Sequence, residues 1–205
     1  MGFFDIFRRP RPVNDIEALA TFVDERSAFV TQKGIYEFSR ARAGHYAKVL
    51  FREQEFLDAA EKSRWVAFPL GLARVGEVVE GVLRRHARDE DQPAVRDGVV
   101  RLVMDVFDNY PVPAALGAPA WRDARVELRR RLDGVSLHPV KLVKDVPEPF
   151  ARAYYDLMPI HEKLRAAEFP TIRNYMRVTL VNVHDEFVAG ADLPALVGAL
   201  RDAPI

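Results

Sequence analysis

The chain has 205 residues, 49% apolar and 29% charged, which is enough hydrophobic content to bury a core in one or two domains and excludes a disordered or collagen-like chain. Thirty Lys or Arg against thirty Asp or Glu leave a formal net charge of +0, so there is no overall field for nucleic acid or an anionic surface, and any such binding needs a local patch. With 0 Cys, disulfides, thiolate metal sites and thiol nucleophiles are excluded, while the compartment stays open.

The opening stretch sets Phe3, Phe4, Ile6 and Phe7 directly before Arg8, Arg9 and Arg11. A secretory signal has the reverse order, and no apolar run approaches bilayer-spanning length. The expectation is a cytoplasmic chain, with peripheral membrane contact as the added feature of its terminus. Phe3, Phe4 and Phe7 would line one side of a helical turn with Arg8, Arg9 and Arg11 following, a pattern that fits the boundary between lipid tails and anionic headgroups. The same residues fit a partner groove, or fold back onto the body. Gly2 would accept a myristoyl group, but Ile6 breaks that motif.

After Pro10 and Pro12, Asn14 and Glu17 have the spacing of a capping box, so a helix is expected to begin there. Its stripe of Ile16, Leu19, Phe22, Val23, Phe29 and Val30 runs to a stopping point at Gly34. The segment from Ile35 to Ala60 repeats the pattern, with Gly44 placed to divide it. From Lys62 to His86 the spacing predicts a long helix in which Pro69 starts a new turn or a kink. Gly71, Gly76 and Gly81 each weaken a helix interior by about 1 kcal/mol, which points to a face approached closely by another backbone, or to a helix end at Gly71. Pro93 suits the first turn of the next helix, whose stripe runs from Val99 to Tyr110. A helix from Pro119 to Leu132 sets Trp121, Leu128 and Leu132 against Arg122, Arg125, Arg129 and Arg130. Residues 135–149 read as an irregular connection with an edge strand at 140–146 as the alternative. Beyond it come a helix around Phe150 to Met158, a short continuation from His161 to Ala167, and an ambiguous segment at 171–187. There helical spacing of Ile172, Met176, Leu180, Val183 and Phe187 competes with β-branched chemistry. A last helix spans Asp192 to Leu200.

The expected fold is all-α, a compact multi-helix domain of about seven to nine helices. Residues 1–13 form the amphipathic terminus, 14–134 the helical core, 135–149 the connection, and 150–205 C-terminal helices packing on the core or forming a small subdomain.

Catalytic signatures do not appear. There is no glycine-rich phosphate loop or dinucleotide fingerprint, and Gly134-Val135-Ser136 lacks the second glycine of a hydrolase elbow. His161-Glu162 opens like a zinc-protease motif, but Arg165 stands where the second His belongs. None of the residues three before a histidine is acidic, which removes the helical di-iron pattern. His184-Asp185-Glu186 reads as a solvated helix end. No cofactor or metal is therefore assigned, and a triad of distant residues is left to geometry.

The densest candidate is the stretch from Tyr36 to Lys48, in which Tyr36, Arg40, Arg42, His45, Tyr46 and Lys48 crowd a helix-break-helix segment. Arginines beside aromatics read carboxylates or phosphates through forked hydrogen bonds and stacking. The competing expectation has both tyrosines partly buried and the cations paired with Glu37, Glu53 or Glu55. The arginine face of residues 122–130 is a minor nucleic-acid candidate on a neutral chain, so nucleic acid is not the expected partner.

The stretch from Gly34-Ile35-Tyr36 to Phe51, together with Phe3-Phe4 and Phe7-Arg8-Arg9, resembles an uncharacterised all-helical family of proteobacterial proteins. Tyr36, Arg42 and His45-Tyr46, with a looser likeness over Phe107 to Gly117, are more distantly similar to the ubiquinol-cytochrome c chaperone family. That resemblance implies a helical protein assisting assembly of a respiratory complex. It covers about a third of the chain. The chain departs from it in a shorter tyrosine-to-arginine spacing, in His45, and in Phe51-Arg52-Glu53-Gln54. The resulting expectation is a noncatalytic protein-binding or assembly factor with an unknown protein partner, for which a homodimer is permitted. The alternative is a small-molecule ligand-binding domain or enzyme with an interhelical pocket near His45, His161 or His184.

Overall fold

A single 33-residue helix, α4 (Gln54–His86), runs through the interior, and most of its residues from Ala67 to Leu83 are buried. The computed structural model describes residues 12–135, 137–145, 148–161, 165 and 167–202; Phe3, Phe4, Phe7, Arg8, Arg9 and Arg11 therefore lie outside the described residues. Around α4 are arranged α1 (Ile16–Gln32), α5 (Gln92–Asp108) and α6 (Gly117–Val135). Two short helices, α2 (Phe38–Ala43) and α3 (Ala47–Leu50), lie between α1 and α4. The chain closes with α7 (Glu148–Asp156), α8 (Phe169–Gly190) and α9 (Leu193–Asp202), which pack on α4 and α5 and so share the same core. The fold is all-α. Among the described residues no helix is long and apolar enough to cross a membrane.

The expected interruption at Pro69 or Gly71 does not occur, because α4 passes through both. Proline costs an interior helix about 3 kcal/mol and glycine about 1 kcal/mol. Both residues are buried here, and packing on every side outweighs the local cost. Gly71 also meets a specific need: a Cβ there would stand 3.0 Å from the Ser27 carbonyl oxygen and 2.8 Å from Thr31 Oγ1. The close approach of α1 to α4 thus depends on a missing side chain. Ser27 keeps its own hydroxyl out of that contact by donating to the Val23 carbonyl at 2.6 Å.

Helix α1 is capped one residue later than the Asn14 and Glu17 spacing indicates. Asp15 Oδ1 accepts from the Ala18 amide at 2.7 Å, satisfying a donor that the first turn leaves open. Just before it, Val13 accepts from the Asp192 amide and donates to the Gly190 carbonyl, both at 2.9 Å, so the start of α1 is tied to the turn between α8 and α9. Asp192 caps α9 in turn, accepting from the Ala195 amide at 3.1 Å.

An aromatic node joins α4, α5 and α6. Trp121 stacks on Phe107 at 4.2 Å and meets Trp65 edge-on at 5.9 Å, geometries that aromatic quadrupoles favour. Tyr110 touches Trp65 and Phe68 and donates its hydroxyl to Asp24 on α1 at 2.5 Å. The ambiguous segment at 171–187 is helical and falls inside α8, with Ile172, Met176, Leu180, Val183 and Phe187 buried along one stripe. An apolar period of 3.6 residues, packed against α4 and α7, overrides the strand preference of Val178 and its neighbours. No strand forms over the described part of 135–149. Val140 there lies over Gly81, and the His138 carbonyl accepts from Arg84 at 3.2 Å.

Candidate functional site

Helix α1 does not stop at Gly34 but loosens into a π-turn at Lys33–Glu37. Such a turn disturbs the regular backbone pairing, and here a side chain from α7 enters the gap. The fully buried Tyr154 donates its hydroxyl to the Val30 carbonyl at 2.9 Å and the Thr31 carbonyl at 2.7 Å. Burial pushes its ionisation far upward, keeping the phenol a neutral donor. The ring lies so close that a Cβ on Gly34 would stand 2.1 Å from Tyr154 Cε1, which only glycine tolerates.

From this clamp the chain runs into an arm. Phe38 packs against the core, and Ser39 is buried with its hydroxyl on the Ile35 carbonyl at 2.5 Å. Arg42 pairs with Glu168 at 3.0 Å. Tyr175 on α8 holds Glu37 by a hydrogen bond, and burial together with that carboxylate raises the phenol's ionisation. Gly44 then ends α2 with φ 51°, a left-handed conformation that glycine adopts without strain. The tip follows as a short 3-10 turn at Gly44–Tyr46 and helix α3. It returns to α4 through Phe51, whose ring lies 4.9 Å from that of Phe56.

This geometry divides the residues singled out in the sequence. Tyr36 is half-buried against the core, and Arg42 is committed to Glu168. Arg40, His45, Tyr46 and Lys48 are exposed on the arm. Tyr46 is 78% exposed, contrary to a partly buried phenol. Of the acids near the segment, Glu37 bonds Tyr175, and Arg42 has a partner far along the chain in Glu168. Two residues escaped the sequence reading. Val49 is 57% exposed beside Tyr46, and Arg52 is exposed at the arm's end. Charge counting would have found Arg52, because residues 38–52 carry four Lys or Arg and no Asp or Glu.

The other candidate faces differ. On α6, Arg125 forms a forked pair with Asp108 at 2.6 and 2.7 Å, Arg129 meets Asp133 at 2.8 Å, and Arg130 and Arg131 share Glu127 at 2.6 and 2.8 Å. The arginine face is thus largely neutralised by acids of its own surface. A cleft between α4, the end of α6 and residues 139–145 contains the Arg74–Glu77 and Glu80–Arg84 pairs, the latter at 2.9 Å. Glu80 is only 3% exposed; burial raises its pKa, with Arg84 opposing the shift. About 50 Å³ of free space in this cleft admits a few waters, against roughly 300–1,000 Å³ for a small-molecule site. His184 lines the cleft and bonds Asp185 at 2.9 Å, whereas His45 and His161 are exposed. Among the described residues no three His, Asp or Glu gather to hold a metal.

Comparison with known proteins adds no template for this geometry: no family model, no curated protein and no solved structure matches the chain.

Proposed function

We propose that the protein is a noncatalytic protein-binding or assembly factor, acting in the cytoplasm or at a membrane surface, whose contact surface is the arm at residues 38–52. One observation carries this reading. Tyr46 and Val49 stand exposed on a segment with four cations and no acid, while the base of that segment is fixed by Tyr154, Ser39 and the Arg42–Glu168 pair. Aromatic anchors and cations on a pre-positioned element are the usual contributors to binding energy at protein interfaces. The fitting partner offers an apolar pocket for Tyr46 within an acidic surface. An assembly role also accords with what the resemblance to ubiquinol-cytochrome c chaperones implies. The narrowness of the Glu80 cleft counts against a small-molecule pocket beside His184.

The test places a photo-crosslinking residue at position 46 or, as control, at position 126 on α6, where Val126 is 68% exposed. The expected result is a discrete protein adduct from position 46 that position 126 does not give, and that Arg40→Glu with Lys48→Glu abolishes. Equal labelling from both positions, or none from position 46, would overturn the reading.

A further inference from the structure

Beside the Glu80 cleft lies a second void, of about 150 Å³. Four parts of the chain wall it: Arg74 and Glu77 come from α4, Arg131 from α6, His138 and Lys141 from the connection, and Phe150 from α7. The void is smaller than a drug-sized site, yet it has room for several waters and so for a ligand of a few heavy atoms. Arg74 is held on two sides, its guanidinium lying 4.5 Å from the Phe150 centroid and donating to Glu77. Stacking consumes none of its five donors, and Glu77 accepts from one nitrogen. Arg131 has only a share in its acid. Both oxygens of Glu127 accept the Arg130 fork, at 2.6 and 2.7 Å, while Arg131 Nε lies 2.8 Å from the same carboxylate without the alignment of a hydrogen bond. Two guanidinium groups thus divide one negative charge. Arg131 also lies near enough to Arg74 to oppose its charge: burial lowers the Arg74 pKa, Glu77 raises it, and Arg131 lowers it further. Lys141 and His138 are exposed, so the void opens to solvent on their side.

We propose that this void binds a short organic carboxylate, with its oxygens on Arg74, Arg131 and Lys141 and its carbon chain against Ala73, Val135 and Phe150. Convergence is set by the void itself, which all six of these residues line. Its lining carries one carboxylate, Glu77, against Arg74, Arg131 and Lys141. An anion placed there relieves the repulsion between the two guanidinium groups, and it does so where burial keeps water from screening them. A guanidinium fork matches a planar carboxylate through two parallel hydrogen bonds. The rest of the lining selects an organic acid over a bare inorganic anion, because Ala73, Val135 and Phe150 offer an inorganic ion nothing in place of its hydration shell.

The site stands apart from the protein-binding role of the arm, and its test uses the full chain without any protein partner. The chain is titrated calorimetrically, at constant ionic strength, with butyrate, succinate and inorganic phosphate. The expected result is saturable binding of butyrate or succinate, with inorganic phosphate bound more weakly. Arg131→Gln and Lys141→Gln each weaken carboxylate binding about tenfold, whereas Arg125→Gln, on the outer face of α6, leaves it unchanged. Binding of butyrate identifies a monocarboxylate site, and binding of succinate alone identifies a dicarboxylate site. Exposed Lys141 can be replaced without disturbing the core, and an unaltered melting temperature checks this. No saturable binding of either carboxylate, inorganic phosphate bound as tightly as the carboxylates, binding that either replacement leaves unchanged, or equal loss with Arg125→Gln would overturn the proposal.

Discussion

Helix α6 and the α7–α8 surface are both rich in arginine, yet the guanidinium groups meet different neighbours. On α6 the guanidinium groups find Asp108, Glu127 and Asp133 within one or two turns or on the neighbouring helix end. The outcome is a locally neutral, solvated face. At α7 and α8 the guanidinium groups lie on Tyr155 and Phe169, and the nearby arm adds further cations with no acid between residues 38 and 52. Equal numbers of basic and acidic residues over the whole chain therefore conceal an uneven distribution. Net charge bounds the long-range field, whereas recognition depends on how the charges are distributed over the surface.

The comparison can be broken most severely at the clamp that places the arm beside α7. Gly34→Ala forces a Cβ into the Tyr154 ring and is expected to cost at least about 1–3 kcal/mol of unfolding free energy by urea titration. Tyr154→Phe tests the same junction more gently. It leaves the Val30 and Thr31 carbonyls without their donor and should cost about 1–3 kcal/mol. A fully stable Gly34→Ala protein would mean that the ring and the π-turn do not meet as described.

The buried Glu80–Arg84 pair sharpens the contrast with the exposed pairs of α6 through pH. Burial raises the folded-state pKa of Glu80 above its unfolded value. Its contribution to stability is then fully present below the unfolded pKa and is lost as pH rises through the folded one. Stability measured across the acid-to-neutral range should fall on this account with rising pH, and Glu80→Gln should flatten that dependence. An unchanged pH profile in Glu80→Gln would show that the carboxylate titrates normally.

A smaller effect is expected where the arm meets α8. Glu168→Gln removes the partner of a half-exposed Arg42, with an expected cost of about 0.5–1 kcal/mol. Faster amide exchange over residues 44–50 should accompany it. Smallest of all is Arg129→Ala on α6, which breaks an exposed pair one helical turn apart and should change stability by less than about 0.5 kcal/mol. A larger loss there would erase the distinction between the two arginine surfaces.

Local pattern made much of this legible. Trp121, Leu128 and Leu132 are buried on α6, and Arg122, Arg125, Arg129 and Arg130 face solvent, as the amphipathic spacing requires. The break at Gly44 and the proline in the first turn of α5 are equally local. Pro69 and Gly71 misled because their cost is local while the burial that overrides it is not. Within the candidate site, the crowding of Tyr36 to Lys48 was visible as composition. Which of those residues are exposed was not, since Arg42 finds its acid at Glu168 and Tyr46 finds no place in the core.

By itself, then, the chain's 3.6-residue apolar period determined an all-α fold, because it acts over a few residues and needs no distant partner. The tertiary structure alone decided that Tyr154 plugs the π-turn at Gly34, that an acid after α7 anchors the arm, and that Arg152 lies on Phe169. Such contacts join residues far apart in the chain, and their formation depends on how the helices pack rather than on any local period.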